Sequence, residues 1–370
     1  MNILVTGAKG FIGKNLIAEL NNRGYMTVFQ YDVDSTQDQL DAYTKDCDFV
    51  FHLAGVNRPQ REEEFMKGNL DFTFILLNSL KKNGNRAPIL ITSSIQATQD
   101  NPYGRSKKAG EELLFQYEEE TGAKIYLYRL QNAFGKWCRA NYNSVVATFC
   151  YNIANELPIN ISDRENSLNL VYIDDIVNTF ISALEGKENC AKDGFYYVLS
   201  IYTVKLGTLA DIIYSFKESR YDLMIPDMTD PFTKKLYSTY LSYLPADKFS
   251  YPLKMNIDAR GSFTEIFKFK ESGLVSVNIL KPGITKGKHW HHTKNEKFLV
   301  VSGDAIIRFR KIDENEIIQY KVSGEKLEVI DIPPGYTHDI TNLGETDLIT
   351  IMWANEVFDP QTPDTFMLQV

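Results

Sequence analysis

A glycine-punctuated turn near the start of the chain limits the folds open to it. Asn2–Thr6 is a short apolar run, and Gly7-Ala-Lys-Gly-Phe-Ile-Gly13 follows at once, opening a helical pattern that continues through Leu20. A strand, a glycine turn and a helix in that order let the backbone approach a pyrophosphate, and the helix N-terminus offers unpaired N–H donors. The spacing is Gly-x-x-Gly-x-x-Gly, where Gly-x-Gly-x-x-Gly is commoner. Its place directly after the first strand favours a dinucleotide loop over a structural turn. Further apolar runs at Thr27–Tyr31, Phe49–Leu53, Ile89–Ser93 and Ile125–Leu130 read as strands, with helical patterns over Phe65–Lys82 and Lys107–Glu120. This alternation predicts a doubly wound parallel α/β sheet. An acidic residue is expected at the end of the second strand to hold the adenosine ribose. Asp32 stands beside that place and Tyr31 in it, while Lys9 within the loop would attract a 2′-phosphate, so the choice between NADPH and NADH stays open.

Thr92-Ser93-Ser94 is followed by Asn101-Pro-Tyr103-Gly-Arg-Ser-Lys107, with Tyr103 and Lys107 four apart at the start of a helix and so on one face. A tyrosine with a pKa near ~10 is a poor acid–base group at neutral pH. A neighbouring ammonium is expected to lower that value, and a serine hydroxyl from the strand end can bind the same substrate oxygen. Such a set assists hydride transfer by roughly 100- to 10,000-fold. A bare Tyr-x-x-x-Lys is common on solvated helices. After a strand ending in Ser-Ser within a dinucleotide fold it is specific.

The first 240 or so residues resemble the extended short-chain dehydrogenase/reductases, a Rossmann-type family, and especially its nucleotide-sugar epimerases, dehydratases and reductases. The matching pieces are Val5-Thr6-Gly7 to Gly13, His52-Leu-Ala-Gly55, Asn69, Ser94, Tyr103 with Lys107, Arg129-Leu-Gln-Asn132-Ala-Phe-Gly135 and Val171-Tyr-Ile-Asp-Asp-Ile-Val177. The resemblance implies that Ser94, Tyr103 and Lys107 are catalytic. It also implies that Gly7, Lys9, Gly10, Phe11, Ile12, Gly13, Asp32, Leu53, Ala54 and Gly55 join Tyr103 and Lys107 around the cofactor, and that Asn132 lies by the sugar nucleotide. The loop between Ser94 and Tyr103 is shorter than in most relatives. Tyr196–Tyr243 continues as a sugar-binding lobe, and Pro245 and Pro252 bracket a polar connection.

Beyond Leu253 the pattern becomes β-rich: Phe263–Phe267, Leu274–Leu280, Lys297–Val301, Ala305–Arg310, Ile317–Val322, Lys326–Ile332 and Leu348–Ala354, punctuated by glycine and proline as in a small barrel or jelly roll. Four of the five histidines, His289, His291, His292 and His338, fall in this part. On a strand His289 and His291 share a face and His292 points away. Imidazoles with the carboxylate of Glu296 form a ligand set for zinc, iron, nickel or manganese. Gly283-x5-His289-x-His291-x4-Glu296-x6-Gly303 and Pro333-x-Gly335-x2-His338-x3-Asn342 resemble the two motifs of the cupins, with Leu327 where the second motif's leading glycine would be. The resemblance implies His289, His291, Glu296 and His338 as ligands of one divalent metal, with zinc the expected ion. Four protein ligands make a closed structural site, whereas catalytic zinc keeps a position open, and the ligand set alone leaves both roles standing. Asn256-Ile-Asp-Ala-Arg-Gly-Ser-Phe-Thr-Glu265 is similar to the opening strands of deoxysugar-nucleotide epimerases, which implies a substrate contact for Arg260. His292, Lys288 and Glu265 are candidates for the proton-abstracting base.

Taken whole, the chain resembles the CapF-type bifunctional enzymes of bacterial surface-polysaccharide synthesis. That implies a reductase domain over residues 1–245, a linker over 246–252 and a cupin domain over 253–370. It also implies a UDP-2-acetamido-2,6-dideoxy-4-ketohexose substrate on the route to UDP-N-acetyl-L-fucosamine. The cupin would invert C3 and the reductase reduce the C4 ketone with NADPH, giving a UDP-6-deoxy-L-talosamine derivative. A reductase whose cupin domain only binds or assembles is the rival. A net charge of −8 argues against broad contact with nucleic acid or anionic membrane. No signal-peptide pattern opens the chain, no apolar run approaches the ~20 residues of a membrane span, and Cys47, Cys138, Cys150 and Cys190 are scattered, so a reduced cytoplasmic protein is expected. Both domain types commonly dimerise, so a homo-oligomer is expected.

Overall fold

The computed structural model describes residues 1–59, 61–187 and 193–370; Cys190 lies outside them. Its contacts divide the chain into two units, Met1–Tyr214 with Asp230–Pro245, and Ser215–Thr229 with Ala246–Val370.

The first unit opens with β1 (Asn2–Thr6), α1 (Phe11–Asn22), β2 (Thr27–Tyr31), α2 (Gln37–Asp46) and β3 (Phe49–His52). It continues through α3 (Glu63–Met66), α4 (Phe72–Lys82), β4 (Ile89–Ser94), α5 (Pro102–Thr121) and β5 (Ile125–Leu130). The five strands pair in parallel in the order β2-β1-β3-β4-β5, the doubly wound sheet expected. Because helices cover both faces, β3 is buried at every position. The order reverses between β1 and β3, which makes their C-terminal ends the crevice where such sheets bind ligands. The helix expected over Phe65–Lys82 is interrupted: Lys67–Asp71 forms a π-helical turn between α3 and α4. Helix α5 starts earlier than its periodicity suggested, because the Asn101 side chain accepts the Gly104 N–H at 2.8 Å and Pro102 needs no N–H of its own. It ends at Gly122, with φ +73°. Leu4, Val50, Leu76, Leu80, Ile89, Leu114 and Leu127 pack the core on one side of the sheet. A second sheet, β6 (Asn132–Phe134), β7 (Ser167–Tyr172) and β8 (Tyr202–Lys205), is joined by α6 (Val145–Ala154) and α7 (Ile173–Leu184). Helix α8 (Leu206–Asp222) follows, its residues from Ser215 on counted with the second unit, and α9 (Pro231–Leu241) belongs to the first. Among the described residues no helix is long and apolar enough to cross a membrane.

The second unit is antiparallel β. Its strands are β9 (Met255–Asp258), β10 (Gly261–Phe269), β11 (Gly273–Leu280), β12 (Thr285–Trp290), β13 (Glu296–Ser302) and β14 (Asp304–Lys311). After these come β15 (Ile318–Ser323), β16 (Val329–Ile332), β17 (Tyr336–Asn342), β18 (Leu348–Ala354) and β19 (Phe366–Met367). One sheet runs β16-β13-β18-β11-β10-β9 and the other β15-β14-β17-β12-β19. Alternation along β11 and β14 sends every second residue inward, where Leu280, Phe298, Val300, Ile307, Phe309, Ile340 and Leu348 form the core. Each of the seven β-rich runs overlaps a strand, though the run at Lys326–Ile332 starts three residues before β16; β9, β12, β17 and β19 are not among the runs, and all of β9 and β19 is exposed.

Candidate functional site

In the first unit the glycine loop sits at the crevice of the parallel sheet. Gly7 has φ +68°, and a Cβ there would lie 2.7 Å from the backbone N of Ala54. A Cβ on Gly13 would lie 2.2 Å from the Gly7 carbonyl oxygen. Both glycines are therefore dictated by close backbone approach, between loop and helix and between loop and the exit of β3. Gly10 caps α1, Phe11 and Ile12 are half-buried in its first turn, and Leu53 and Ala54 are half-buried just past β3. Asp32, one residue beyond β2, accepts the Lys9 backbone N–H at 2.6 Å, and the Lys9 ammonium pairs with the carboxylate of Asp34. The loop and the acidic segment after β2 are thus tied together.

Ser94 ends β4, and Tyr103 and Lys107 occupy successive turns at the start of α5. The Lys107 Nζ donates to the Thr92 carbonyl at 3.2 Å and stands so close to Gly55 that a Cβ there would be 3.1 Å from it. Lys107 therefore joins β4, α5 and the exit of β3 at one point. Burial lowers its pKa to about 8, partly opposed by the negative charge of Glu111 one turn further along α5. Tyr103 goes the other way. Burial raises its pKa, opposed by the Ser94 side chain, so the expected net lowering by a neighbouring ammonium is not found in the protein alone. The Lys107 Nζ stands 6.0 Å from the Tyr103 ring centre.

Sequence reasoning missed the polar groundwork beneath this pair. Glu111, 3 % exposed, accepts the Ser93 hydroxyl at 2.6 Å and a forked contact from Arg129. His52 lies between the Thr6 and Thr73 hydroxyls at 2.7 and 2.9 Å, its pKa lowered to about 3 by burial and then by the Lys107 charge, so its ring is neutral. The π-helical turn places Asn69 to bond both the N–H and the carbonyl of Val56, at 2.9 and 3.1 Å, and the Ser106 hydroxyl at 3.0 Å. A small cavity lined by His52, Asn69, Thr73, Lys107 and Glu111 lies among these groups. The signal for Glu111 was its spacing, four residues beyond Lys107 on the same face. Asn132 opens β6 and is exposed, two residues past Leu130, the β5 partner of Ser94.

In the second unit His289, His291, Glu296 and His338 each present a ligand atom within 4.8 Å of the others. His289 and His338 are register partners across β12 and β17, His291 follows β12 and Glu296 begins β13. The Nε2 atoms of His291 and His338 and the Oε2 of Glu296 are buried without hydrogen-bond partners. Such orphaned atoms are costly unless something fills the space between them, so the donor set fits a divalent cation. Burial, then the charges of His338 and His291, lower His289 to about 4. Burial pushes Glu296 up, but His291, His338 and Lys294 outweigh it and hold the carboxyl well below its usual range. The His291 Nδ1–H donates to the Asp364 carbonyl, which frees Nε2 for a metal. The Asp364 carboxylate accepts the backbone N–H groups of His292, Thr293 and Lys294 at 2.8, 2.7 and 2.8 Å. No motif marked Asp364.

The remaining sequence candidates lie outside the cluster. His292 is exposed, with its ring against Trp290 and Phe366. Lys288 has φ +65° at a bulge in β12. Glu265 pairs with Lys268 at 2.8 Å, and Arg260 is forked onto Asp258 at 3.0 and 2.6 Å.

Residues 3–198 match the NAD dependent epimerase/dehydratase family, and residues 256–366 match the polysaccharide biosynthesis C-terminal domain. A UDP-2-acetamido-2,6-beta-L-arabino-hexul-4-ose reductase of Pseudomonas aeruginosa is 46% identical over 370 residues, covering 100% of this chain and 99% of the relative. The crystal structure of the capsular polysaccharide assembling protein CapF from Staphylococcus aureus is 54% identical, covers 100% of both chains and superimposes with a TM-score of 0.94. A UDP-glucose 4-epimerase of Thermotoga maritima, 20% identical over 66% of this chain and 98% of its own, shares the fold of the first unit with a TM-score of 0.56. With both matched regions on one chain and full-length similarity to CapF, the protein belongs to the NAD dependent epimerase/dehydratase family, in its CapF-like branch.

Proposed function

We propose that this chain is a bifunctional nucleotide-sugar enzyme of capsular polysaccharide synthesis. Its second unit epimerises C3 of a UDP-2-acetamido-2,6-dideoxy-4-ketohexose, and its first unit reduces the C4 ketone with NADPH. The observation that carries the reductase half is the convergence of Ser94, Tyr103 and Lys107 at the crevice beside the glycine loop and Gly55. The relative from Pseudomonas aeruginosa is named for reduction of a UDP-linked 4-ulose, which supports the substrate class. Reduced nicotinamide supplies the hydride that reaches C4. Tyr103 gives its proton to the ketone oxygen, Ser94 holds that oxygen, and the Lys107 cation stabilises the phenolate left behind.

For the epimerase half, the buried orphan atoms of His291, Glu296 and His338 support a bound divalent ion, with zinc the best fit to the three imidazoles and one carboxylate. Such an ion supplies Lewis-acid polarisation of a carbonyl. The 4-ketone acidifies the C3 hydrogen, so a base takes that proton, charge moves to the C4 oxygen, and a proton returns from the opposite face. Epimerisation comes first, because reduction removes the ketone that makes C3 acidic. Free Cys47, Cys138 and Cys150 suit the cytoplasm, where this substrate and NADPH would be met, and we expect a homo-oligomer.

The test is NMR of the product formed from the UDP-4-ketosugar in deuterated water. Deuterium at C3 together with a C4 alcohol is expected. Tyr103→Phe should stop reduction and spare exchange, and His289→Ala the reverse. Loss of both reactions in Tyr103→Phe would defeat the two-site reading. The second reading, a reductase whose second unit only binds, is favoured by the relative's name, which mentions reduction alone. Reduction without any C3 deuterium would establish it.

A further inference from the structure

The inner face of β12 carries a group that the metal cluster does not use. Lys286 is the register partner of Ile340, and His289 of His338, across the β12–β17 ladder. Directly paired residues of antiparallel strands share a face. Ile340 is 3 % exposed within the core, so Lys286 points inward, one step along the strand from the histidines. Its Nζ crosses to the other sheet and donates to the Oδ1 of Asn278 on β11 at 2.9 Å. Asn278 is 4 % exposed and is paired with Thr350 on β18, whose Oγ1 is buried without a hydrogen-bond partner.

What Lys286 lacks is an anion. Its hydrogen-bond acceptor is a neutral amide, and among the described residues no carboxylate forms an ion pair with it. Asp258 and Arg260 are near enough to act on it, in opposite directions, and are already forked onto each other. Burial, the largest influence, lowers its pKa. An ammonium has three donors, and this half-buried one, with a single neutral acceptor, has donors left for a counter-charge.

We propose that Lys286, held by Asn278, is the anion-binding residue of the second unit's site and takes an anionic oxygen of the bound nucleotide sugar. This rests on the ketosugar reading. Two sources supply such an oxygen. One is the enolate: when the C3–H bond breaks, the base keeps the proton, the electron pair forms the C3=C4 double bond, and the C4 oxygen takes the negative charge that Lys286 meets. Reprotonation at C3 returns the electrons, with no net oxidation. The other source is the diphosphate.

The experiment uses the full-length, metal-loaded chain, wild type against Lys286→Gln and Lys286→Arg. C3 deuterium incorporation into the UDP-4-ketosugar without NADPH is followed by NMR, and UDP binding by calorimetry. An enolate contact predicts that Lys286→Gln lowers kcat by roughly 100- to 1,000-fold, the cost of one oxyanion donor, with KM little changed and partial recovery in Lys286→Arg. A diphosphate contact predicts an unchanged kcat with KM raised and UDP affinity lowered about tenfold or more. Unchanged exchange and unchanged UDP binding in a normally melting Lys286→Gln protein would overturn the proposal. Should the wild type itself exchange no deuterium, the epimerase reading fails, and the anion site then stands or falls on the UDP calorimetry alone.

Discussion

Arg129 closes a forked ion pair on Glu111, with Nη2–Oε2 at 2.6 Å and Nε–Oε1 at 3.0 Å, one helical turn beyond Lys107. The fork fixes the Glu111 side chain in place, and its charge opposes the lowering of Lys107 by burial. Folded-state Lys107 is protonated below about 8 and loses its charge above it. Reduction that needs the cation should therefore show kcat/KM falling as pH rises through that region. Glu111→Gln should move the fall to lower pH, since the charge that raises Lys107 is gone. It should also cost about 1–3 kcal/mol of stability, because the Arg129 guanidinium, 16% exposed, loses its anionic partner. A pH–rate profile with thermal melting checks both; an unmoved profile would show that Glu111 does not tune Lys107.

The glycine loop gives a sterically sharper expectation. Gly13→Ala puts a methyl 2.2 Å from the Gly7 carbonyl oxygen, a backbone atom that cannot rotate aside. Loop and helix must part, and the crevice between β1 and β3 opens. NADPH affinity measured by fluorescence titration should fall at least tenfold in a protein that still unfolds cooperatively. Gly24→Ala is the control, since nothing lies within 4 Å of a Cβ there and only its φ of +81° is strained, a cost of about 1 kcal/mol.

These cases also mark what was legible in the chain. The parallel sheet could be read because its strands are buried runs bounded by Gly7, Gly55 and the Asn101–Pro102 cap, all local signals. The grouping of His289, His291, Glu296 and His338 could be read because three of them lie within eight residues of chain and the fourth sits in a recognisable Pro-x-Gly-x-x-His segment. Arg129 and Glu111 are 18 residues apart and meet only because β4 and β5 pair beside α5. Asp364 lies 73 residues from His291, and the Lys286–Asn278 bond depends on which strands face each other across the core. Periodicity finds faces; it does not find which faces meet. The π-helical turn at Lys67–Asp71 was missed for a different reason, since its sequence is helical and only the bonds of Asn69 betray the extra residue.

Asp364 bears on how firmly the His/Glu cluster would hold the proposed ion. Burial pushes its carboxyl up, but three backbone N–H groups and the Thr293 hydroxyl outweigh this and hold it far below the usual carboxylate range. Its own carbonyl fixes the His291 tautomer, so one residue anchors both the loop after β12 and the ligand ring. Asp364→Ala removes the loop anchor and lets the carbonyl drift. Metal affinity, measured by chelator competition, should fall about 10- to 100-fold, the usual cost of losing an outer-shell partner. Asp364→Asn keeps an acceptor and should fall less.

The exposed pair formed by Lys9 and Asp34 gives a test of the proposed use of NADPH. The two side chains are 63% and 62% exposed, and water and salt screen an ion pair that open, so a phosphate can displace the carboxylate easily. Asp32 cannot make the same exchange easily, because its carboxylate already accepts the backbone N–H groups of Lys9 and Val33. Lys9 is then the group available to a 2′-phosphate, and Asp34 the charge that competes with it. Asp34→Asn should tighten NADPH several-fold and leave NADH where it was. Lys9→Ala should weaken NADPH about tenfold, again sparing NADH, and both effects should shrink in high salt. Direct binding of the two cofactors by calorimetry separates the cases. If NADPH and NADH move together in either variant, the pair acts on the loop's shape and not on the phosphate.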